Sequence, residues 1–493
     1  MAKKVTIVGG GLAGMVAALE LLERGTAVHI IETSHRLGGK AGANQFKSDW
    51  DEHGWHLFPL WYLNTWGLVE KLKIRSSFVD KSRYGYMKKG EYPHYIYLEN
   101  PFSWKTAFHN LFHGVLQPWD SFLYQYALLD LMSQPVRHRA QLDQVTVNGF
   151  ARSRFYGTEA VVSQLEDTVS RASAIESYEM SAMTVRNVMR FWFNYHNPWF
   201  RILNGDLQTK FIQPLEKRIR ESGGEVTLNA TVVEIVVRED SIRSLRVSDP
   251  SGVPYEVPVD TLLLAVAPED VRPLLSEELL AAAPELANIH YLRSRVMAGM
   301  TIYFKSRIPG IPQDHINFVS TKYALSMIDV TDTWGLKGGS VVCVVVSDYT
   351  TLQGHSPERA KKILLEELSR YLPFLREEDI ERVDFQPHVE HPLFANTAGA
   401  WAKRPGVRTR IANLFMAGDY CKTHVDLTCM EGAVVSGLLA AEAMRLQFKI
   451  ATPVLILETT TKPRLLLVLL KWLLLPGALI ALAVGALVGR NEK

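Results

Sequence analysis

Cysteine is scarce: Cys343, Cys421 and Cys429 are the only three in 493 residues. They form no C-x-x-C pair and no disulfide framework, which suits a reducing compartment, and no metal site is expected. An excess of either charge is also missing. A formal net charge of +2, from 54 basic and 52 acidic residues, gives no reason to propose a nucleic-acid partner. The chain enters an apolar strand within its first five residues, leaving no room for a cleaved leader. A globular body on the cytoplasmic side is therefore expected. With 47% hydrophobic and 22% charged residues, wholesale disorder is excluded, and the length calls for two domains or more.

What is present begins with Val5-Thr6-Ile7-Val8, a buried-strand pattern that runs straight into a glycine cluster. Gly9, Gly11 and Gly14 fit the G-x-G-x-x-G fingerprint of a dinucleotide site. The first allows a tight turn, the second lets backbone approach a pyrophosphate, and the third lets helix pack on strand. Residues 15–22 are almost wholly apolar, Gly25 sits where a helix ends, and residues 27–31 read as a second strand closing at Glu32. That carboxylate lies about 20 residues beyond the glycines, where it can accept from ribose hydroxyls. Ala13 and Thr33, beside these positions, join the expected cofactor contacts. His35-Arg36-Leu37-Gly38-Gly39-Lys40 follows, with Gly39 close to phosphate and Arg36 or Lys40 supplying positive charge.

Next comes Gly54-Trp55-His56-Leu57-Phe58. This order of motifs resembles the FAD-dependent amine oxidase and carotenoid desaturase superfamily. There a Gly-Gly-Arg or Gly-Gly-Lys turn precedes a Gly-x-His-x-Phe segment beside the flavin. The segment is similar to that of plant-type phytoene and ζ-carotene desaturases, as is the helix expected over residues 64–74. The resemblance implies flavin contact for His56 and Leu57 and substrate contact for Phe58.

Residues 102–132 are dense in large apolar side chains at roughly helical spacing, interrupted by Pro118, with Asp120 and Asp130 the only acids. Three readings stand: a buried helical subdomain, the lining of an apolar tunnel, or a membrane-interface surface. In the resembling desaturases this region faces substrate and membrane. A helix opening near residues 203–214 and strands near 226–235 return to the nucleotide-binding pattern. The resemblance places Val232 at the adenine through its backbone. It places Lys210 where plant-type phytoene desaturases carry an arginine facing substrate or quinone, although lysine lacks the planar fork. Residues 261–267 make another apolar strand, and 271–399 alternate strands with one amphipathic helix but show no chemical motif. Near the end, Asn413-Leu414-Phe415-Met416-Ala417-Gly418-Asp419 and Met430-Glu431-Gly432-Ala433 closely resemble the C-terminal flavin motif of the desaturases. Asp419 is expected to orient the ribityl chain, and the helix start at Met430 and Ala433 to place partial positive charge at the flavin.

The tail differs from everything before it. Residues 465–488 contain one charge, Lys471, and one proline, Pro476, with Arg464 and Arg490 flanking. About 24 helical residues reach about 36 Å, enough for a bilayer core of roughly 30 Å. Either the segment spans, with Lys471 reaching the headgroups, or Pro476 divides it into an interfacial and a re-entrant piece.

The expected fold is α/β: a Rossmann-type FAD-binding domain in discontinuous segments, an α+β substrate domain of amine oxidase type, and a C-terminal hydrophobic helix. The segments are 1–100, 205–270 and 400–447 for FAD, 101–204 for a helical substrate or membrane-facing subdomain, 271–399 for the rest of the substrate domain, and 448–493 for linker and membrane helix. The expected activity is FAD-dependent desaturation of a lipophilic, isoprenoid or carotenoid-like substrate, with quinone or oxygen taking the electrons and no catalytic base assigned. The alternatives are a flavin-dependent amine oxidase, an isoprenoid isomerase or dehydroxylase, and a prenyl-binding escort protein without FAD.

Overall fold

In the computed structural model, all residues are described except 1–2, 47–48, 52–54, 100–103, 196–197, 388, 390 and 492–493. Gly54 of the expected flavin segment and Phe102 of the apolar stretch therefore lie outside the described residues. Five strands from across the chain form one parallel sheet, in the order Glu225–Thr227, Ala27–Ile31, Lys4–Val8, Thr261–Leu264, Leu414–Met416. A strand covered on both faces needs apolar residues at every position, and Val5 to Val8, Val28 to Ile31 and Thr261 to Leu264 are all buried. The helix Leu12–Leu22 packs against Met430–Phe448 so closely that a Cβ on Gly437 would lie 2.3 Å from the Ala13 carbonyl.

A second, seven-stranded sheet runs Ile380–Pro387, Ala298–Phe304, Val341–Val346, Leu325–Asp329, His315–Phe318, Arg83–Met87, Ile96–Glu99. The last two strands lie within residues 1–100 yet join this sheet rather than the parallel one. Arg83–Met87 pairs in parallel with His315–Phe318, a partner more than two hundred residues away, and antiparallel with Ile96–Glu99. Above this sheet lie helices Pro118–Ser133, Glu159–Ser173 and Ala182–Asn194 with a core of their own. Pro118 begins its helix, where a missing N–H costs nothing.

The tail is one continuous helix, Arg464–Asn491, with Pro476 inside it. Its apolar stretch of 25 residues, Arg464–Val488, is long and apolar enough to cross a membrane. It does not stand alone. Leu467 and Ala478 are fully buried, and Gly477 and Gly485 leave room for Phe122 and Trp119 of the Pro118–Ser133 helix. The expectation that Lys471 reaches headgroups is corrected by its position: its Nζ lies 2.7 Å from Asp130 Oδ1. Asp130 is only 2% exposed, and Lys471 on one oxygen with Arg154 Nε 3.5 Å from the other offsets a carboxylate that would be costly alone. The opposite face, including Trp472, Leu473 and Ile480, is exposed.

Candidate active site

The three fingerprint glycines do three different jobs. Gly9 has φ +101°, and a Cβ there would strike the Ala265 carbonyl at 2.6 Å. A Cβ on Gly14 would lie 2.1 Å from the Gly9 carbonyl, which closes helix onto strand. A Cβ on Gly11 would meet nothing within 4 Å. Gly11 is also the N-cap of Leu12–Leu22, with no side chain capping it and no acidic residue in the first turn. Free N–H groups, a bare α-carbon and the positive end of a helix dipole make a cradle that fits a pyrophosphate.

These residues open into a cavity of about 1880 Å³. A single-ligand site is roughly 300–1,000 Å³, so this one has room for a dinucleotide and a second molecule. Of the residues expected at the cofactor, Gly9, Gly11, Ala13, Glu32, Thr33, Arg36, Gly39, Lys40, His56, Leu57, Val232, Gly418, Asp419, Met430 and Ala433 all line it. Gly14 does not, being occupied with packing. Phe58 and Lys210, expected at the substrate, do not line it either. Phe58 is fully buried behind the wall among Trp66, Phe78 and Phe211. Lys210 belongs to a short π-helical turn, Gln208–Ile212, and its aliphatic stem lies over Gly205.

Glu32 is already held in place: Oε2 accepts from the Gly10 N–H at 2.7 Å and Oε1 from the Ser34 N–H at 2.8 Å. Those bonds fix the carboxylate at the strand end while its remaining lone pairs stay available for hydroxyl donors. Lys40 is committed elsewhere, to Glu269 Oε1 at 2.6 Å and to the Pro392 carbonyl. Arg36 lies against Gly42, and burial lowers its pKa, with Glu32 opposing. The strand Thr231–Arg238 has a bulge between Val232 and Glu234, which leaves Val233 outside the ladder beside the cavity.

At the far end of the parallel sheet, Gly418 takes φ +142° and donates its N–H to Ser436 Oγ at 2.9 Å. Burial pushes the Asp419 carboxyl up, opposed chiefly by Lys40 and Arg404. Met430–Phe448 starts at the cavity, and Cys429 Sγ caps it by accepting from the Gly432 N–H. Glu431 points the other way. Fully buried, its carboxylate accepts from the backbone and side chains of Asn64 and Thr65 at 2.7–2.9 Å, capping the helix Leu63–Leu72.

Two groups of residues escaped the sequence reading. Arg404, 2% exposed, donates to the carbonyls of Asp419, Tyr420 and Cys421 and to Asp426 Oδ1 at 2.6–3.1 Å. It clamps the loop that carries Asp419. An aromatic wall also lines the cavity: Trp55 and Tyr84 flank His315 with ring centroids 4.5 and 5.0 Å away, and Tyr84 meets Trp199 edge-on at 4.7 Å. Only Trp55 lay in a recognisable motif.

His315 makes the fold acid-sensitive. Burial holds its pKa down to about 3, against an ordinary 6.5, while its bond to Asn317 opposes. Between those values the unfolded chain takes up a proton that the folded chain refuses, so stability is complete above pH 6.5 and falls as pH drops toward 3. Burial lowers His424 in the same sense. For the single His315 proton the slope is about 1.4 kcal/mol per pH unit. Urea denaturation from pH 7.5 to 4.5 should show that slope, and His315→Gln should flatten it; an unchanged profile would remove His315 as the cause.

The model for flavin containing amine oxidoreductases matches residues 12–445. A 15-cis-phytoene desaturase of Synechococcus elongatus is 25% identical over 460 residues, covering 90% of this chain and 95% of its own. A zeta-carotene desaturase of Synechocystis is 23% identical over 483 residues, covering 90% and 97%. Cyclohexylamine oxidase from Brevibacterium oxydans has the same fold, with TM-score 0.66 and 16% identity over 91% of this chain and all of its own. So does putrescine oxidase bound to putrescine, with TM-score 0.64 and 16% identity over 91% of this chain and 99% of its own. The amine oxidase type of fold expected from the motifs is the fold observed. The chain belongs to the flavin-containing amine oxidoreductase family and is an FAD-dependent oxidoreductase.

Proposed function

We propose that this oxidoreductase desaturates a long, lipid-soluble isoprenoid or carotenoid-like chain drawn from a bilayer. The observation that carries this reading is the continuity of the cavity with the tail. Leu470 and Leu474 of the C-terminal helix line the same space as Gly11 and Asp419. The side of that helix away from the body is apolar and exposed, which suits a lipid surface. We assign the helix to the membrane and the globular body to the cytoplasmic side. The desaturase relatives support an isoprenoid substrate.

When bound, FAD supplies a hydride acceptor, and quinone or oxygen then takes the electrons. The chain's own residues bind, orient and exclude water. Gly11 and the start of Leu12–Leu22 would hold the pyrophosphate, Glu32 the ribose, and the Val232 bulge the adenine. The start of Met430–Phe448 would set partial positive charge beside the ring. Trp55, Trp61, Tyr84, Trp192 and Trp199 offer broad apolar faces along which a polyene can lie, and their packing keeps water from the reacting carbon. Alignment rather than acid–base chemistry is the protein's contribution.

The test is an absorbance spectrum of the detergent-solubilised protein, followed by anaerobic incubation with phytoene, squalene-type lipids and polyamines. Flavin bands that bleach only with an isoprenoid support the reading. Bleaching with a polyamine alone would move the enzyme to the amine oxidases.

A further inference from the structure

The seven-stranded sheet presents one cross-strand row to the cavity that does not suit a hydrocarbon. Tyr86, Asn317 and Ser326 sit side by side, Asn317 being the register partner of the other two, and all three line the cavity. The neighbouring row, Ile316, Met327, Val344 and Met300, is wholly apolar. Along the first row, Asn317 Oδ1 meets His315 Nε2 at 3.0 Å, which leaves the amide N–H for the Tyr86 hydroxyl oxygen. An amide oxygen can only accept, so the His315 Nε2–H is the donor in that bond. Each link in the series, from His315 to Asn317 to Tyr86, hands its donor onward. The Tyr86 O–H is the donor left over.

The helix Glu159–Ser173 closes over this row. Arg171 donates to the carbonyls of Phe318 and Leu325, the residues next to Asn317 and Ser326. Its Nε and Nη2 also hold Asp167 Oδ1 at 2.9 and 2.6 Å. Tyr124 and Thr168 share a hydrogen bond of 2.9 Å and line the same space. Asp167 and Arg171 cancel, so this end of the cavity is polar without net charge. A protonated amine there meets a guanidinium, and a carboxylate or phosphate meets Asp167. Polar groups inside an apolar cavity are costly unless something bonds to them.

The geometry points to a subsite for a neutral oxygen function, a hydroxyl or a ketone carbonyl, carried by the isoprenoid chain that occupies the cavity. Tyr86 donates to that oxygen, and Asn317, Tyr124 and the Asp167–Arg171 pair surround it. The preferred substrate is thus an oxygenated isoprenoid rather than a bare hydrocarbon. This inference rests on the isoprenoid reading of the cavity given above.

The experiment uses oxidised, FAD-loaded enzyme in detergent, titrated anaerobically while the flavin bands are followed. Three probes are compared: a long-chain polyprenol, the hydrocarbon that lacks only its hydroxyl, and the corresponding prenylamine. The polyprenol should bind about tenfold more tightly than the hydrocarbon, and Tyr86→Phe should bring the two within about twofold. Hydrocarbon affinity and FAD content should be unchanged in that variant. Equal affinity for polyprenol and hydrocarbon in the wild type would overturn the subsite alone and leave the isoprenoid reading intact. So would a preference that survives Tyr86→Phe. Tighter binding of the prenylamine would overturn the neutral-oxygen assignment. If no prenyl probe perturbs the flavin while polyamines bleach it, the isoprenoid reading and the subsite fall together.

Discussion

Replacing Arg404 by alanine is expected to strip the enzyme of FAD and to lower its stability by about 3–5 kcal/mol. The guanidinium is buried and satisfies four acceptors at once: three consecutive carbonyls, from Asp419 to Cys421, and the carboxylate of Asp426. Asp426 is itself almost wholly buried and sits at φ +54°, in the left-handed region that its residue type tolerates. Its second oxygen accepts from Arg139 at 2.7 Å, so part of its charge stays compensated in the variant. The carbonyls have no such reserve. Without the fork they must find water, and the loop carrying Asp419 loses its fixed path beside the cavity. Arg404→Lys should recover only part of the loss, because one ammonium cannot match a planar fork. Flavin absorbance after gel filtration, together with urea denaturation, reads both effects. Wild-type FAD content and an unchanged midpoint would show that the clamp does not position the site.

Reversing Lys471 to glutamate should free the C-terminal helix from the body at a cost of about 3–5 kcal/mol. Asp130 is almost fully buried and is served by Lys471 at 2.7 Å, Tyr156 at 2.6 Å, Gln134 at 3.0 Å and, more distantly, Arg154 at 3.5 Å. A second carboxylate at the lysine's place puts two like charges together in a dry site, and one must take a proton or leave. Departure of the helix exposes Phe122 and Trp119 and removes Leu470 and Leu474 from the cavity. Substrate affinity should therefore fall while FAD stays bound, since the cofactor cradle is built on the parallel sheet and on the starts of Leu12–Leu22 and Met430–Phe448. Limited proteolysis in residues 449–463 should speed up in the variant. An unchanged cleavage rate with unchanged substrate binding would mean that the ion pair does not dock the helix.

The nucleotide side of this molecule was legible in the sequence because its signals are local. Gly9, Gly11 and Gly14 lie within one turn of chain, and Met430 to Ala433 announce a helix start with small residues. Strand and helix identities followed from apolar runs. What could not be read was whatever depends on a distant partner. Lys40 has the look of a phosphate ligand until Glu269 is placed beside it. Lys471 has the look of a headgroup anchor until Asp130 is found buried across from it. The row of Tyr86, Asn317 and Ser326 comes from three short strands, two of them far from the first in sequence. Each residue taken alone is an unremarkable polar position on its strand. Phe58 shows the opposite case: it stands two residues after His56, which lines the cavity, yet it packs into the core among Trp66, Phe78 and Phe211.

The strand order of the parallel sheet also has a bearing on biosynthesis. Lys4–Val8 lies at its centre, yet it waits for Thr261–Leu264, which in turn waits for Leu414–Met416. While the ribosome is still extending the chain, the sheet carries an open edge and the pyrophosphate cradle faces no opposite wall. Asp419 and the helix that begins at Met430 emerge after the other four strands of this sheet. FAD loading must thus wait until Leu414–Met416 and the helix after it have emerged, and the half-sheet made before then is the species that must be guarded against association.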